Sequence, residues 1–190
     1  MNSIIPLIKE LERVYDILAK KFNLKYDRPI ITIQTKGRGN TLGWYWNKKW
    51  QYKKKEIGEI NICAEDLNKN PIETLVHEMV HYSNACEKKE DCNQHQYHNK
   101  VFKIKAESYG LNVEKNGRHG WGLTTISKEL KETINKIKVN NKVFKLFRKE
   151  NFKFIVPTKM KKYKCGCTIV RCATDLLAKC LKCNKEFKEE

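Results

Sequence analysis

Apolar residues fall into two rhythms along the chain. Ile4, Leu7, Ile8, Leu11, Val14, Tyr15, Leu18 and Phe22 recur at steps of three and four, which predicts an amphipathic helix with one core face. Ile30–Gln34, Leu42–Trp46 and Glu59–Cys63 instead alternate or carry β-branched and aromatic residues, and each predicts a strand. Lys36–Asn40, with Gly37 and Gly39, reads as the turn between the first two. Period two puts Trp44 and Trp46 on one face, read as core in preference to a surface that stacks bases.

A helix start follows at Asn70-Pro71-Ile72-Glu73. Asn70 reads as the N-cap, Pro71 as N1 and Glu73 as the partner of a capping box. The apolar positions carry this helix to about Ala85. Glu87–Gln96 is polar and loop-like. A further helix is expected from His98 to Tyr109, stopped by Gly110. Arg118–Gly122 (RHGWG) reads as a glycine-flanked loop, Lys128–Lys138 and Lys142–Lys149 as basic helical segments, and Pro157–Lys164 as a linker.

Composition narrows the class. With 32% charged and 40% apolar residues, the chain is expected to fold. No apolar run reaches the roughly 20 residues a bilayer span needs, and the first helix lacks the features of a signal peptide. A cytoplasmic protein with no membrane partner is the expectation. The net charge of +17 favours a polyanionic partner, and Ser127–Lys164 alone holds 13 Lys and Arg against 3 Asp and Glu. In a reducing compartment the eight cysteines point to metal before disulfides. Cys63, Cys86 and Cys92 are scattered and read as small buried hydrophobes or free thiols.

The chemistry centres on His77-Glu78-Met79-Val80-His81, an HExxH pattern. Helical positions i and i+4 share a face, so both imidazoles can reach one zinc ion, while Glu78 is placed as general base toward water. A catalytic zinc takes three protein ligands. His98 is the favoured third, with His95 and then Glu107 as alternatives. His119 is a candidate oxyanion donor. In the tail, Cys165-Gly166-Cys167 and Cys180-Leu181-Lys182-Cys183 make two thiol pairs suited to a structural zinc, with Cys172 as alternate ligand in place of Cys167. Thr168–Val170 and Leu176–Ala178 would be the strands of that module.

The sequence ETLVHEMVHY, the polar loop, QYHNKVFK and YGL together resemble the SprT-like zinc metallopeptidase family (bacterial and phage SprT-like proteins and the related Spartan). The matching positions are His77, Glu78, His81 and His98, with Phe102 completing an H-x-x-x-F element, and EINIC and RHGWG add to the likeness. The CxC departs from the usual CxxC. The resemblance implies an α+β, zincin-like fold: an N-terminal helix, a small antiparallel sheet, the HExxH helix and a C-terminal zinc ribbon. Its bounds are a metallopeptidase domain at 1–126, a basic segment at 127–160 and the ribbon at 161–190. It also implies an endopeptidase with one catalytic and one structural zinc, protein substrates bound or crosslinked to DNA, a place in DNA repair, and DNA as partner through residues 127–164 and the ribbon. Zincins suggest Glu59–Cys63 as a substrate-binding edge. The alternative is a non-catalytic, zinc-containing nucleic-acid-binding protein.

Overall fold

The computed structural model describes residues 3–35, 41–149 and 160–190, so the expected turn at Lys36–Asn40 and the first residues of the expected linker lie outside it. The chain is α+β and divides into two compact units, Met1–Glu150 and Asn151–Glu190. Among the described residues no helix is long and apolar enough to cross a membrane.

In the first unit, helix α1 (Ile5–Lys21) buries Leu7, Leu11, Val14, Tyr15 and Leu18, the face set by its apolar period. Strands β1 (Ile30–Gln34), β2 (Gly43–Tyr52) and β3 (Lys55–Cys63) form one sheet in the order β1-β3-β2. This sheet is mixed, not antiparallel, because β1 runs parallel to β3. It also puts β3 in the middle, hydrogen-bonded on both sides. Glu59–Cys63 therefore offers no free edge, and the edge on that side is β2. Ile60 and Ile62 point into the core, where Leu75, Val76, Met79 and Val80 of α2 (Pro71–Cys86) meet them. Trp46 is not core: it is 53% exposed on the opposite face of the sheet.

Helix α2 begins at Pro71, but the Asn70 side chain makes no capping hydrogen bond. Glu73 does not reach back to it either; its carboxylate accepts a hydrogen bond from the Ile126 N–H, so tertiary contact displaces the local box. Helix α3 (Lys100–Ser108) is capped by Asn99, whose Oδ1 accepts from the Val101 and Phe102 amides at 2.7 and 3.3 Å. Gly110 follows with φ of +85°, which suits glycine.

The chain then forms an antiparallel hairpin, β4 (Leu111–Asn116) and β5 (Gly120–Ile126). Gly120-Trp121-Gly122 is thus strand, not loop. Helix α4 (Lys128–Ile137), capped by Ser127, buries Leu130. Lys142–Lys149 is not a helix: Val143–Lys145 is a single 3₁₀ turn that seats Phe144 in the core. Glu10 of α1 ties this region down, accepting from Arg13 and from the Asn140 N–H at 2.8 Å.

The second unit holds β6 (Lys161–Lys164), β7 (Ile169–Cys172) and β8 (Lys188–Glu189), antiparallel in the order β7-β6-β8. The last four residues of the expected linker are therefore a central strand. Leu176–Ala178 is irregular, since its neighbours are engaged in a loop leading to the single bridge between Lys179 and Glu186.

Candidate metal centres

On α2, His77 and His81 lie one turn apart. His98 reaches them from the residue before the Asn99 cap, in a segment clamped on both sides. Its N–H donates to the His119 carbonyl at 3.0 Å, its carbonyl accepts from Trp121 at 3.0 Å, and it bridges to Cys92 as well. Two glycines make this clamp close enough. A Cβ on Gly120, where φ is +61°, would lie 2.2 Å from the His98 oxygen, and one on Gly122 would lie 2.5 Å from His98 Nδ1.

The Nε2 atoms of His77 and His81 stand 3.3 and 3.1 Å from Nε2 of His98. A tetrahedral ion with nitrogen ligands at about 2.0–2.1 Å has ligand–ligand edges of about 3.3 Å. The other ring nitrogens face outward to fixed partners. His81 Nδ1 meets the Asp91 carboxylate at 2.9 Å, His98 Nδ1 the His119 carbonyl at 3.2 Å, and His77 Nδ1 the Thr124 hydroxyl at 3.0 Å. A carbonyl and a carboxylate only accept, so His81 and His98 carry their outer protons there. Their inward lone pairs repel each other unless a positive species lies between them. A proton on one ring is the smallest such species, and a metal ion is the one that suits the spacing of all three nitrogens.

Asn84 donates to Asp91 at 2.9 Å, and the fully buried Phe102 ring lies 4.5–4.8 Å from each of the three imidazoles. Burial pushes His77 well down and His98 down to about 4. Burial also works downward on His81, but the Asp91 bond and the charges of Glu78 and Asp91 outweigh it and raise this histidine. Glu78 is 4% exposed, and burial, aided by Asp91, lifts its carboxyl to about 7 against the opposing effects of His81 and the Tyr45 amide.

A cavity of about 430 Å³ opens over these groups, lined by His77, Glu78 and His98 on one side and by Gly43, His119 and Thr124 on others. Gly43 at the start of β2 lets the strand lie against α2, since a Cβ there would sit 2.6 Å from both Asn61 O and Thr74 Cγ2. A larger cleft of about 1080 Å³ beside Phe22 and Tyr109 contains none of the three histidines, and the chemistry lies in the smaller one.

His119 shares the cavity with Glu78. His95 is exposed in the loop, its N–H bonded to Asn93, and Glu107 is an exposed partner of Lys103; neither joins the histidines. Asp91, Thr124, Gly43 and Gly122 escape the sequence reading. The signal for Asp91 would have been the habit of histidine ligands to hold a carboxylate on the outer nitrogen.

In the second unit Cys165, Cys167, Cys180 and Cys183 gather their sulfurs, with Sγ separations of 3.6 Å (Cys165–Cys167) and 3.5 Å (Cys167–Cys180). Four thiolates at about 2.3 Å from an ion would have edges of about 3.8 Å. Gly166, at φ of +86°, makes the tight turn inside the CxC, and Asn184, at φ of +56°, the turn after Cys183. Amides of Cys183 and Lys182 aim at the Cys180 sulfur and lower its pKa. Cys172 lies outside the cluster, within β7 opposite Lys161. Each cluster can hold a metal ion. Comparison with family models, with curated proteins and with solved structures finds no match to this chain.

Proposed function

We propose that the chain is a zinc-dependent endopeptidase of the SprT-like type, with a zincin-like catalytic unit, acting on proteins bound or crosslinked to DNA. The observation that carries the hydrolase reading is the convergence of His77, His81 and His98 around one point with Glu78 buried beside them under an open cavity. The donor set is three imidazoles with oriented outer nitrogens, which suits zinc. When bound, zinc supplies Lewis acidity toward a scissile carbonyl and lowers the pKa of water at the site.

Glu78 takes the proton from the attacking water and delivers it to the leaving amine. His119, which lines the same cavity, donates to the developing oxyanion. The outer side of β2, unpaired among the described residues, borders the cavity at Gly43 and can hydrogen-bond an extended peptide along its backbone, a mode that reads little sequence. Four thiolates at Cys165, Cys167, Cys180 and Cys183 hold a second, structural zinc. Exposed Lys128, Lys131, Lys136 and Lys142, with the ribbon, supply phosphate contacts.

The test is zinc content and casein or autocleavage assays, with and without DNA, on wild type and Glu78→Gln. Hydrolysis should fall by about 10²–10⁴-fold in the variant while zinc and fold stay. Equal activity in both would refute Glu78 as the base; bound zinc with no activity in either would make this a non-catalytic zinc protein.

A further inference from the structure

Strand β2 carries a row of aromatics. Its register with β3 places Trp44 opposite Asn61, Trp46 opposite Glu59, Trp50 opposite Ile57 and Tyr52 opposite Lys55. Between Trp46 and Trp50 the ladder is interrupted: β2 spends three residues where β3 spends one. The surplus is even, so the side-chain alternation is kept and all four rings stay on one face. That face is opposite the one where Ile60, Ile62 and Tyr45 meet the core. The row spans seven residues of β3, six steps and roughly 20 Å.

These rings are open to solvent: Trp46 is 53%, Trp50 46% and Tyr52 66% exposed. They are also held. Trp50 Nε1 donates at 2.6 Å to the Glu59 carboxylate, which is buried beneath and bonded to Gln34 as well. Lysines lie over them, with Lys49 Nζ 3.8 Å above the Trp46 ring and Lys53 Nζ 5.6 Å from that of Tyr52. Lys48, Lys54 and Lys55 complete the hairpin end, and the Lys48 and Lys55 ammoniums meet Glu56 and Asp27.

We infer that this aromatic face of β2 binds single-stranded nucleic acid, with bases stacking on Trp46, Trp50 and Tyr52 and phosphates meeting Lys49 and Lys53. The charge is complementary: the hairpin end is lysine-rich on a chain of net charge +17, and the partner is a polyanion. Flat rings, two with a lysine ammonium nearby and the third fixed by its hydrogen bond to Glu59, give bases the stacking and charge contacts used on such platforms. A bilayer surface would share the charge but is a poorer match. From Gly43 to Lys55 the large apolar residues are all Trp or Tyr, and the turn itself is Tyr-Lys-Lys-Lys, with no aliphatic side chain to insert. A duplex keeps its base faces stacked inside and cannot use the rings.

The inference does not depend on peptide hydrolysis, and its test reads no activity. The full chain is titrated with labelled oligo(dT), oligo(U), a matched duplex and phosphatidylserine vesicles at fixed salt, following tryptophan emission and anisotropy. Single strands should bind with quenching, and the tighter of the two identifies the sugar. Trp46→Ala with Tyr52→Ala, both exposed positions, should weaken binding at least about 5-fold, and Trp46→Phe with Tyr52→Phe should restore most of it. Lys49→Gln with Lys53→Gln should lower the salt slope by about 1.4. Wild-type affinity in the alanine variant, equal binding of the duplex, or vesicle binding that the same substitutions abolish while single strands go unbound would each overturn it.

Discussion

Around His77, His81 and His98 the protein surrounds its donors with a core, while around the four cysteines it has almost none. The histidines rest on buried Phe102, lie against α2 and the hairpin β4–β5, and have an outer partner for every ring. In the second unit the buried residues among those described are Tyr163, Cys165 and Cys180, and Leu177 and Leu181 are fully exposed. The first cluster is positioned by packing, so an ion joins a site already shaped. The second can be positioned only by the ion, because so few apolar contacts cannot offset the entropy of ordering the segment.

Metal removal should separate the two most sharply. Stripping the protein with chelator, or Cys180→Ser, should collapse the amide dispersion of residues 160–190 in an NMR spectrum and leave that of 3–149 in place. Structural zinc contributes about 10–16 kcal/mol in modules of this size, far beyond what the cysteine unit has otherwise. Persistent dispersion of the tail after stripping would erase the contrast.

The next largest effect comes from the packing side. Phe102→Ala removes a fully buried ring beneath three imidazoles and should cost about 3–5 kcal/mol in urea unfolding of the first unit, with or without metal. A cost below about 1 kcal/mol would show that the histidines are not seated by the core.

Asp91→Asn probes orientation alone. It should weaken zinc binding at the histidines by about 10–100-fold in a competition titration while leaving metal-free stability nearly unchanged, because Asn keeps the volume but not the charge that holds His81 Nδ1.

The smallest effect is electrostatic. Glu87, at the end of α2, is held at about 2, below its ordinary 4.5, chiefly by its hydrogen bond with Lys105 and then by Lys89. The folded state binds this proton less readily than the unfolded one. Its contribution is therefore whole above about pH 4.5 and fades as pH falls toward 2. The group is partly open to solvent, so the amount is at most about 1 kcal/mol. The stability gap between wild type and Glu87→Gln, read by urea at pH 6 and pH 3, should narrow at the lower pH; a constant gap would refute the pairing.

The residues legible in the sequence were those whose roles arise from local spacing. The i, i+4 step puts His77 and His81 on one face whatever surrounds them, and the apolar period of α1 selects its buried side. What stayed hidden depends on contacts far apart in the chain. Alternation in Ile30–Gln34 says strand but not direction, so the parallel pairing with β3 could not be read from it, nor that β3 would be central and β2 the edge. Gly120 and Gly122 look like loop residues because glycine usually marks turns; here they let a strand approach His98. Trp46 looks like core because it is large and apolar, yet the sheet turns it outward. Asp91 sits among polar loop residues, and only the return of the chain to His81 distinguishes it.

The hairpin β4–β5 supplies none of the three imidazoles, yet the His119 carbonyl in its turn and the Thr124 hydroxyl anchor two of the three rings. Affinity for the ion can therefore be retuned without altering a single ligand, by edits to a surface ribbon some twenty to fifty positions away in the chain. A protein engineer wanting a graded series of metal-ion sensors from one scaffold would start there.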